Sequence, residues 1–200
     1  MGECFLGRVL NTIVFFDGQN IYRSAKDAWR IGNVSETYRY TWPCYDVKKL
    51  SETLVSKTPG NNLVQIRFYT GVPTMQQSQH WHSFWVNKLK HLSEQGIEVY
   101  KGRINHSGQE KGVDVKLAID IIQLTYEKQY DCALILSQDR DFEPAIILAN
   151  EIAKDQNRQL RFESHYIIAD SDRGIPKTIW MPIDKQTYDS CYDPTNYQGH

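Results

Sequence analysis

The stretch Cys132-Ala133-Leu134-Ile135-Leu136-Ser137-Gln138-Asp139-Arg140-Asp141-Phe142 constrains this chain more than any other. Five apolar or small residues make a run too short for a helix and bounded by polar residues, as a strand buried on both faces requires. The run stops at Ser137, the carboxylates Asp139 and Asp141 follow, and an apolar helical pattern resumes at Phe142. In an open α/β sheet that order puts both carboxylates at the carboxyl end of a central strand, in the crevice where ligands collect.

The rest of the chain alternates in the same way. Thr12-Ile13-Val14-Phe15-Phe16 reads as a first strand ending at Asp17-Gly18-Gln19-Asn20, followed by a helix over 21–29. Residues 30–45 carry Gly32, Pro43 and aromatics without a period, which reads as an insertion loop; Asp46 then caps a helix reaching Val55. A second strand spans 63–70, a long helix 74–94, a short third strand 97–100, a polar loop 105–110 and a helix 113–128. After the opening strand come a helix over 142–154 and a fifth strand over 161–169. Such alternation predicts a three-layer α/β/α sandwich with a mainly parallel central sheet, and right-handed crossovers put every strand's carboxyl end on one edge. The domain is expected to cover residues 1–170, with 171–200 a proline-containing tail packed on it.

Composition narrows the classes. Two hundred residues suffice for one ordinary core, and no stretch of about 18 apolar residues offers a membrane span. The first ten residues show no secretory pattern, and Cys4, Cys44, Cys132 and Cys191 are scattered without a C-x-x-C pair. Reduced thiols and a cytoplasmic protein are the expectation. A formal charge of −1 gives no global sign of a polyanion partner, so nucleic-acid binding has to rest on a local patch.

The shared sheet edge turns Asp17 and Asp139 into neighbours. A wheel of the 113–128 helix places Asp114 opposite the polar strip of Lys116, Asp120, Gln123 and Glu127, in the apolar arc, where a carboxylate requires a partner or a cation. The plainer reading is an Asp that starts the helix after Lys111-Gly112. Asp120, on the edge of the polar strip, reads as part of a solvated helix face, with support of the site's ligands as the sharper alternative. Carboxylates gathered on one edge repel one another unless a cation is present, and hard oxygen ligands with few His or Cys select Mg²⁺ or Mn²⁺. That chemistry suits phosphodiester hydrolysis. Asn20 and Ser137 supply neutral polar groups beside it. Arg103, Lys111 and Arg140, with Lys101 and Lys116, are candidates for a phosphate-holding basic rim, against the alternative of scattered surface charge. Trp81, Phe84 and Trp85 read as core from their helical spacing, whereas Tyr38, Tyr40 and Trp42 are divided between base stacking and packing. His80, His82, His91 and His106 show no ligand spacing and read as surface or packing residues.

Val14-Phe15-Phe16-Asp17-Gly18-Gln19-Asn20, Lys111-Gly112-Val113-Asp114-Val115 and Leu136-Ser137-Gln138-Asp139-Arg140-Asp141-Phe142 together resemble the NYN-domain family of PIN-like ribonucleases across residues 12–170. The resemblance implies the PIN-like sandwich and divalent-metal-dependent cleavage of RNA, single-stranded or structured. It implies Asp17, Asp114 and Asp139 as metal ligands, with Asn20 and Asp141 as supporting polar residues of the site. Gln138 stands where the family usually has a small residue. An endoribonuclease restrained by a regulatory protein partner or by substrate selection is the first expectation. The second is a binding or regulatory module that uses the same cleft for RNA or protein without turnover. A third places Asp17 as the nucleophile of a phosphoryl-transfer enzyme, against which the Asp-Gly-Gln-Asn sequence lacks a second Asp two residues on.

Overall fold

A computed structural model describes residues 8–30, 40, 42–105, 107–168 and 173–197. Cys4, Tyr38, His106 and most of the 30–45 insertion lie outside them. The elements run β1 (Leu10–Asp17), α1 (Gly18–Trp29), α2 (Val47–Ser56), β2 (Asn61–Val72), α3 (Gln79–Glu94), β3 (Glu98–Ile104), β4 (Glu110–Lys111), α4 (Val113–Tyr126), β5 (Cys132–Leu136), a 3₁₀ turn (Arg140–Phe142), α5 (Glu143–Asp155), β6 (Arg161–Ile167), β7 (Ile179–Ile183) and α6 (Lys185–Ser190).

The strands form one sheet in the order β4-β3-β2-β1-β5-β6-β7, parallel throughout except for the antiparallel β3–β4 pair. β1 is paired on both edges, Phe16 facing Phe68 of β2 on one side and Leu136 of β5 on the other. Its alternate residues serve two cores. Val14 and Phe16, with Leu134 and Leu136, pack under α1, α2 and α3; Ile13 and Phe15, with Ala133 and Ile135, pack under α4 and α5. The continuous apolar runs of the sequence follow from this, since a parallel strand covered on both faces has no solvent side to make polar.

Several boundaries depart from the expectation for local reasons. α3 starts at Gln79, not at Thr74, because the Ser78 hydroxyl accepts from Trp81 N–H as its N-cap, while Thr74–Gln77 close a separate turn. The loop expected over 105–110 ends in Glu110 and Lys111, which pair with Ile104 and Arg103. Residues 173–197 contribute β7, parallel to β6, and α6 against α2. Tyr40 and Trp42 pack rather than project. Tyr40 is buried with its hydroxyl donating to Asp189 at 2.6 Å, and the Trp42 ring lies 4.8 Å from that of Trp81.

One buried cation fastens the far segments together. Lys88 of α3 donates to the carbonyls of Pro43 and Tyr45 at 3.0 Å each and to Asp193 Oδ2 at 3.2 Å. Its ammonium also stands 5.2 and 5.0 Å from the Tyr45 and Tyr197 ring centres. Truncation would strand a buried carboxylate and two carbonyls, a change that ordinarily costs about 3–5 kcal/mol. Urea unfolding of Lys88→Ala is expected to show a loss of that order, and a loss under about 1 kcal/mol, the scale of an exposed pair, would contradict the assignment.

Candidate active site

The carboxyl end of β1 is where connections part. From β1 the chain crosses by α1 and α2 to β2 on one side, while β5 returns on the other side through α4. A crevice at that switch point is a consequence of topology, and Asp17 stands in it. Asp17 caps α1, its Oδ1 accepting from Asn20 N–H at 3.0 Å, and its Oδ2 accepts from the Ser137 hydroxyl at 3.2 Å. The loop after β5 is tied to the same point. Gln138 N–H donates to Asn20 Oδ1 at 3.3 Å, Asp139 N–H to Ser137 Oγ at 3.1 Å, and Asp141 N–H to Asp139 Oδ1 at 2.9 Å. Ser137 is therefore a brace behind Asp17, fully buried, and not a group at the cleft surface.

Asp17, Asn20, Asp114, Asp139 and Lys111 line one cleft of about 440 Å³. Asp141, Arg140 and Arg103 lie outside its lining, Asp141 acting on Asp114 only through its charge. Asp114 reaches the cleft because Gly112 adopts a left-handed φ of 82° and turns the chain into α4, a conformation that favours glycine. Its side chain is open to the cleft and solvent instead of lying in the buried arc. The buried carboxylate of α4 is Asp120, which corrects the reading of a solvated face: it is 3 % exposed and accepts from the Tyr69 hydroxyl at 2.8 Å and from Arg67 at 3.1 Å, with Lys116 alongside.

The structure adds two carboxylates that the sequence reading missed, Asp27 on the α1 ridge and Glu110. Glu110 lines the cleft, held by Gly71 N–H donating to its Oε1. A Cβ on Gly71 would come within 2.5 Å of that oxygen, so the glycine is what lets the carboxylate sit against the backbone. Arg23 of α1 also lines the cleft, and nothing in the sequence pattern singled it out.

Electrostatics follow from this crowding. Burial, and then repulsion from Glu110 and Asp114, push Asp17 up to about 7 against the pull of Asn20 N–H and Ser137. Burial, with repulsion from Asp114, pushes Glu110 up to about 7, opposed by Gly71 N–H and Arg23. Asp114 is raised by desolvation and by Asp139 and Asp141, with Arg23 opposing. The donor set is all oxygen, with no thiol or imidazole in the lining, which matches a hard divalent cation. Among the described residues no three His, Cys, Asp or Glu side chains stand together closely enough to enclose an ion as placed. The fit therefore lies in the chemistry and charge of the donors, not in a closed shell.

The NYN domain model matches residues 11–156, a span that runs from the second residue of β1 past the end of α5 and contains every carboxylate of the cleft. The chain belongs to the NYN-domain family. NYN domains are PIN-like nucleases. A crystallised protein of unknown function from Vibrio parahaemolyticus shares the fold, with a TM-score of 0.52 at 16 % identity over 88 % of this chain and 95 % of its own. No curated protein matches the chain. No helix among the described residues is long and apolar enough to cross a membrane.

The raised carboxyls fix the sign of a pH effect. Between about pH 4 and 7 the unfolded chain has released the protons that Asp17 and Glu110 still hold when folded, so stability falls as pH rises through that window and levels off above it. A cation needs both groups ionised and competes with those protons. Thermal unfolding in EDTA is expected to show this decline, and Mg²⁺ or Mn²⁺ to raise the melting temperature more at pH 8 than at pH 6. Asp17→Asn is expected to flatten both dependences, and cation responses equal at the two pH values would contradict the assignment.

Proposed function

We propose that this NYN domain is a divalent-metal-dependent ribonuclease, an endoribonuclease by preference, acting on RNA in the cytoplasm. The observation that carries the reading is the convergence of Asp17, Glu110, Asp114 and Asp139 on one cleft at the switch point of the sheet, with two of them raised to about 7. Such a concentration of unpaired negative charge opposes folding unless something bound repays it. Mg²⁺ or Mn²⁺, held by Asp17, Asp114 and Asp139 with Glu110 beside them, supplies positive charge and the Lewis acidity that phosphodiester hydrolysis needs.

The chain's own groups have separable roles in this reading. Asp17 is fixed from behind by Ser137 and Asn20, so its direction is set by the strand end and not by a mobile side chain. Asn20 spends its carbonyl oxygen on Gln138 N–H, leaving its amide nitrogen as a neutral donor to a phosphate oxygen or a water. Glu110, held at the cleft by Gly71 N–H, is placed to accept the proton of an attacking water. Lys111 and Arg23 lie in the same lining and offer cations to the incoming phosphate. Asp141 and Arg140 support the 3₁₀ turn that aims Asp139. Both oxygens of Asp17 accept hydrogen bonds from the protein, which favours a held ligand over the aspartyl nucleophile considered above.

Cleavage of mixed single-stranded and structured RNA with Mn²⁺ or Mg²⁺ tests the reading. Wild type is expected to cut, EDTA to stop it, and Asp139→Asn, which keeps volume and removes charge, to lower the rate by at least about a hundredfold. Glu110→Gln is expected to lower it by roughly 10²–10⁴, the range of a lost general base. Cleavage surviving in Asp139→Asn would place the activity elsewhere. Wild type that binds RNA without cutting it would favour the regulatory module.

A further inference from the structure

Helix α1 presents Gln19, Arg23 and Asp27 at four-residue spacing, and this ridge borders two hollows. Asn20 and Ser24 face the acidic cleft on one side. Tyr22 and Lys26 face a second hollow of about 900 Å³ on the other, with Trp81 of α3 across from them. The two hollows meet along the ridge, so a chain lying in one passes over Arg23 into the other. The second volume lies toward the top of the range of roughly 300–1,000 Å³ usual for ligand clefts.

What this hollow offers a ligand is limited by what its border has already spent. The Gln77 amide donates to the carbonyls of Ile104 and Asn105 at 3.1 Å each, and its oxygen accepts from Thr74 N–H at 2.9 Å. The Asn105 side-chain oxygen accepts from Gln109 N–H at 2.8 Å and from the Ser107 hydroxyl at 2.8 Å. Ring surface, the Gln19 amide and charge of both signs remain, positive on Arg23 and Lys26 and negative on Asp27. Trp81 is half-buried, its ring packed 4.8 Å from Trp42 and 5.5 Å from Phe84 by centroids, which fixes its plane. Lys26 faces this hollow, and the exposed Arg23 stands with Gln19 and Asp27 on the ridge shared with the acidic cleft.

We infer that the hollow beside α1 seats an unpaired base of single-stranded RNA, stacked on Trp81, with the adjoining phosphate over Arg23. The inference rests on the nuclease reading above and deepens it, because it names the strand state of the substrate. A flat ring joined to an anion matches the Trp81 wall with Arg23 and Lys26 opposite, and continuity with the carboxylate cleft supplies the direction of the chain. A base already paired inside a duplex cannot enter such a hollow. With the Gln77 and Asn105 side chains committed, stacking surface carries most of the contact, and any sequence preference is expected to be weak.

The test is equilibrium binding of a short, fluorescently labelled oligouridylate to the whole protein in EDTA, where turnover plays no part. Trp81→Leu is expected to weaken binding roughly tenfold, within the range of one lost base stack, and Trp81→Phe to restore most of it. A single abasic residue walked along the oligonucleotide is expected to cost wild type a similar factor at one position and Trp81→Leu nothing further there. Binding of a blunt RNA duplex is expected to be the same in both proteins. Equal affinity of wild type and Trp81→Leu for the single strand overturns the inference, as does an equal loss on the duplex. Should Trp81→Leu fail to fold by circular dichroism, the abasic series on wild type and the variant Tyr22→Leu decide, and a flat abasic profile overturns it. Loss of the nuclease reading shows separately, as absence of cleavage with metal while this stacking signature persists.

Discussion

Asp17 stands where β1, the strand paired on both edges, gives way to α1, and that position makes several demands at once. As N-cap it must point back at Asn20 N–H; as the last residue of a buried strand it must leave water. Leaving water raises its carboxyl, and the nearby Glu110 and Asp114 raise it further. Helix capping and the Ser137 hydroxyl offset part of that cost, but only a bound cation or proton can offset the remainder. A carboxylate retained under those terms is costly as structure and useful as a ligand. The same side chain thus starts a helix, closes the floor of the cleft and holds its charge in readiness.

The cleft's other walls arrive from two stretches far from Asp17 in the chain, 110–114 and the loop after β5. Asp139 comes from the β5 loop, Asp114 from the left-handed turn at Gly112, and Glu110 from β4, docked on Gly71 thirty-nine residues earlier in the chain. Each is set by backbone geometry more than by side-chain packing: a strand end, a positive-φ turn and an amide exposed by a missing Cβ. Sites assembled from strand ends and helix starts are rigid because the sheet is rigid, which suits chemistry that depends on holding charges at fixed separation.

How much of this could be read from the sequence depended on whether the signal was local. β1 and β5 were legible because runs of four and five apolar residues stop abruptly at Asp17 and at Ser137, and a doubly covered strand leaves that signature. The capping role of Asp46 was legible too, its Oδ1 accepting from Lys49 N–H. Glu110 was not, because its short strand exists only by pairing with β3, and nothing within residues 105–110 signals the Gly71 amide. The wheel of α4 failed for a related reason. Asp120 belongs to the polar strip by spacing, yet β2 lays Arg67 and Tyr69 across that strip and buries it. The principle that a buried carboxylate needs partners held, but it applied to Asp120 and not to Asp114. Trp81 shows the same limit, since helical spacing assigns a ring to the inward arc without saying whether the neighbouring element fully covers it.

The two walls of the aromatic hollow are joined through the core. Lys88 lies on α3, two turns beyond Trp81, and grips the Tyr45 carbonyl; the Tyr45 ring stacks on Phe16 at 5.2 Å, and its hydroxyl donates to the Gly18 carbonyl at 2.7 Å, in the first turn of α1. α3 and α1 are thereby tied at one buried point beside Asp17, and the gap between Trp81 and the α1 ridge is set by that tie and not by whatever enters it. A preformed gap spares a ligand the ordering cost of closing side chains around it, so even a single stacked base can gain useful affinity. A buried ion pair adds little net stability over a well-packed apolar pair of the same volume, so the burial of this lysine is then understandable as positional. It holds the wall that receives the base in register with the carboxylates that would act on the adjoining phosphate.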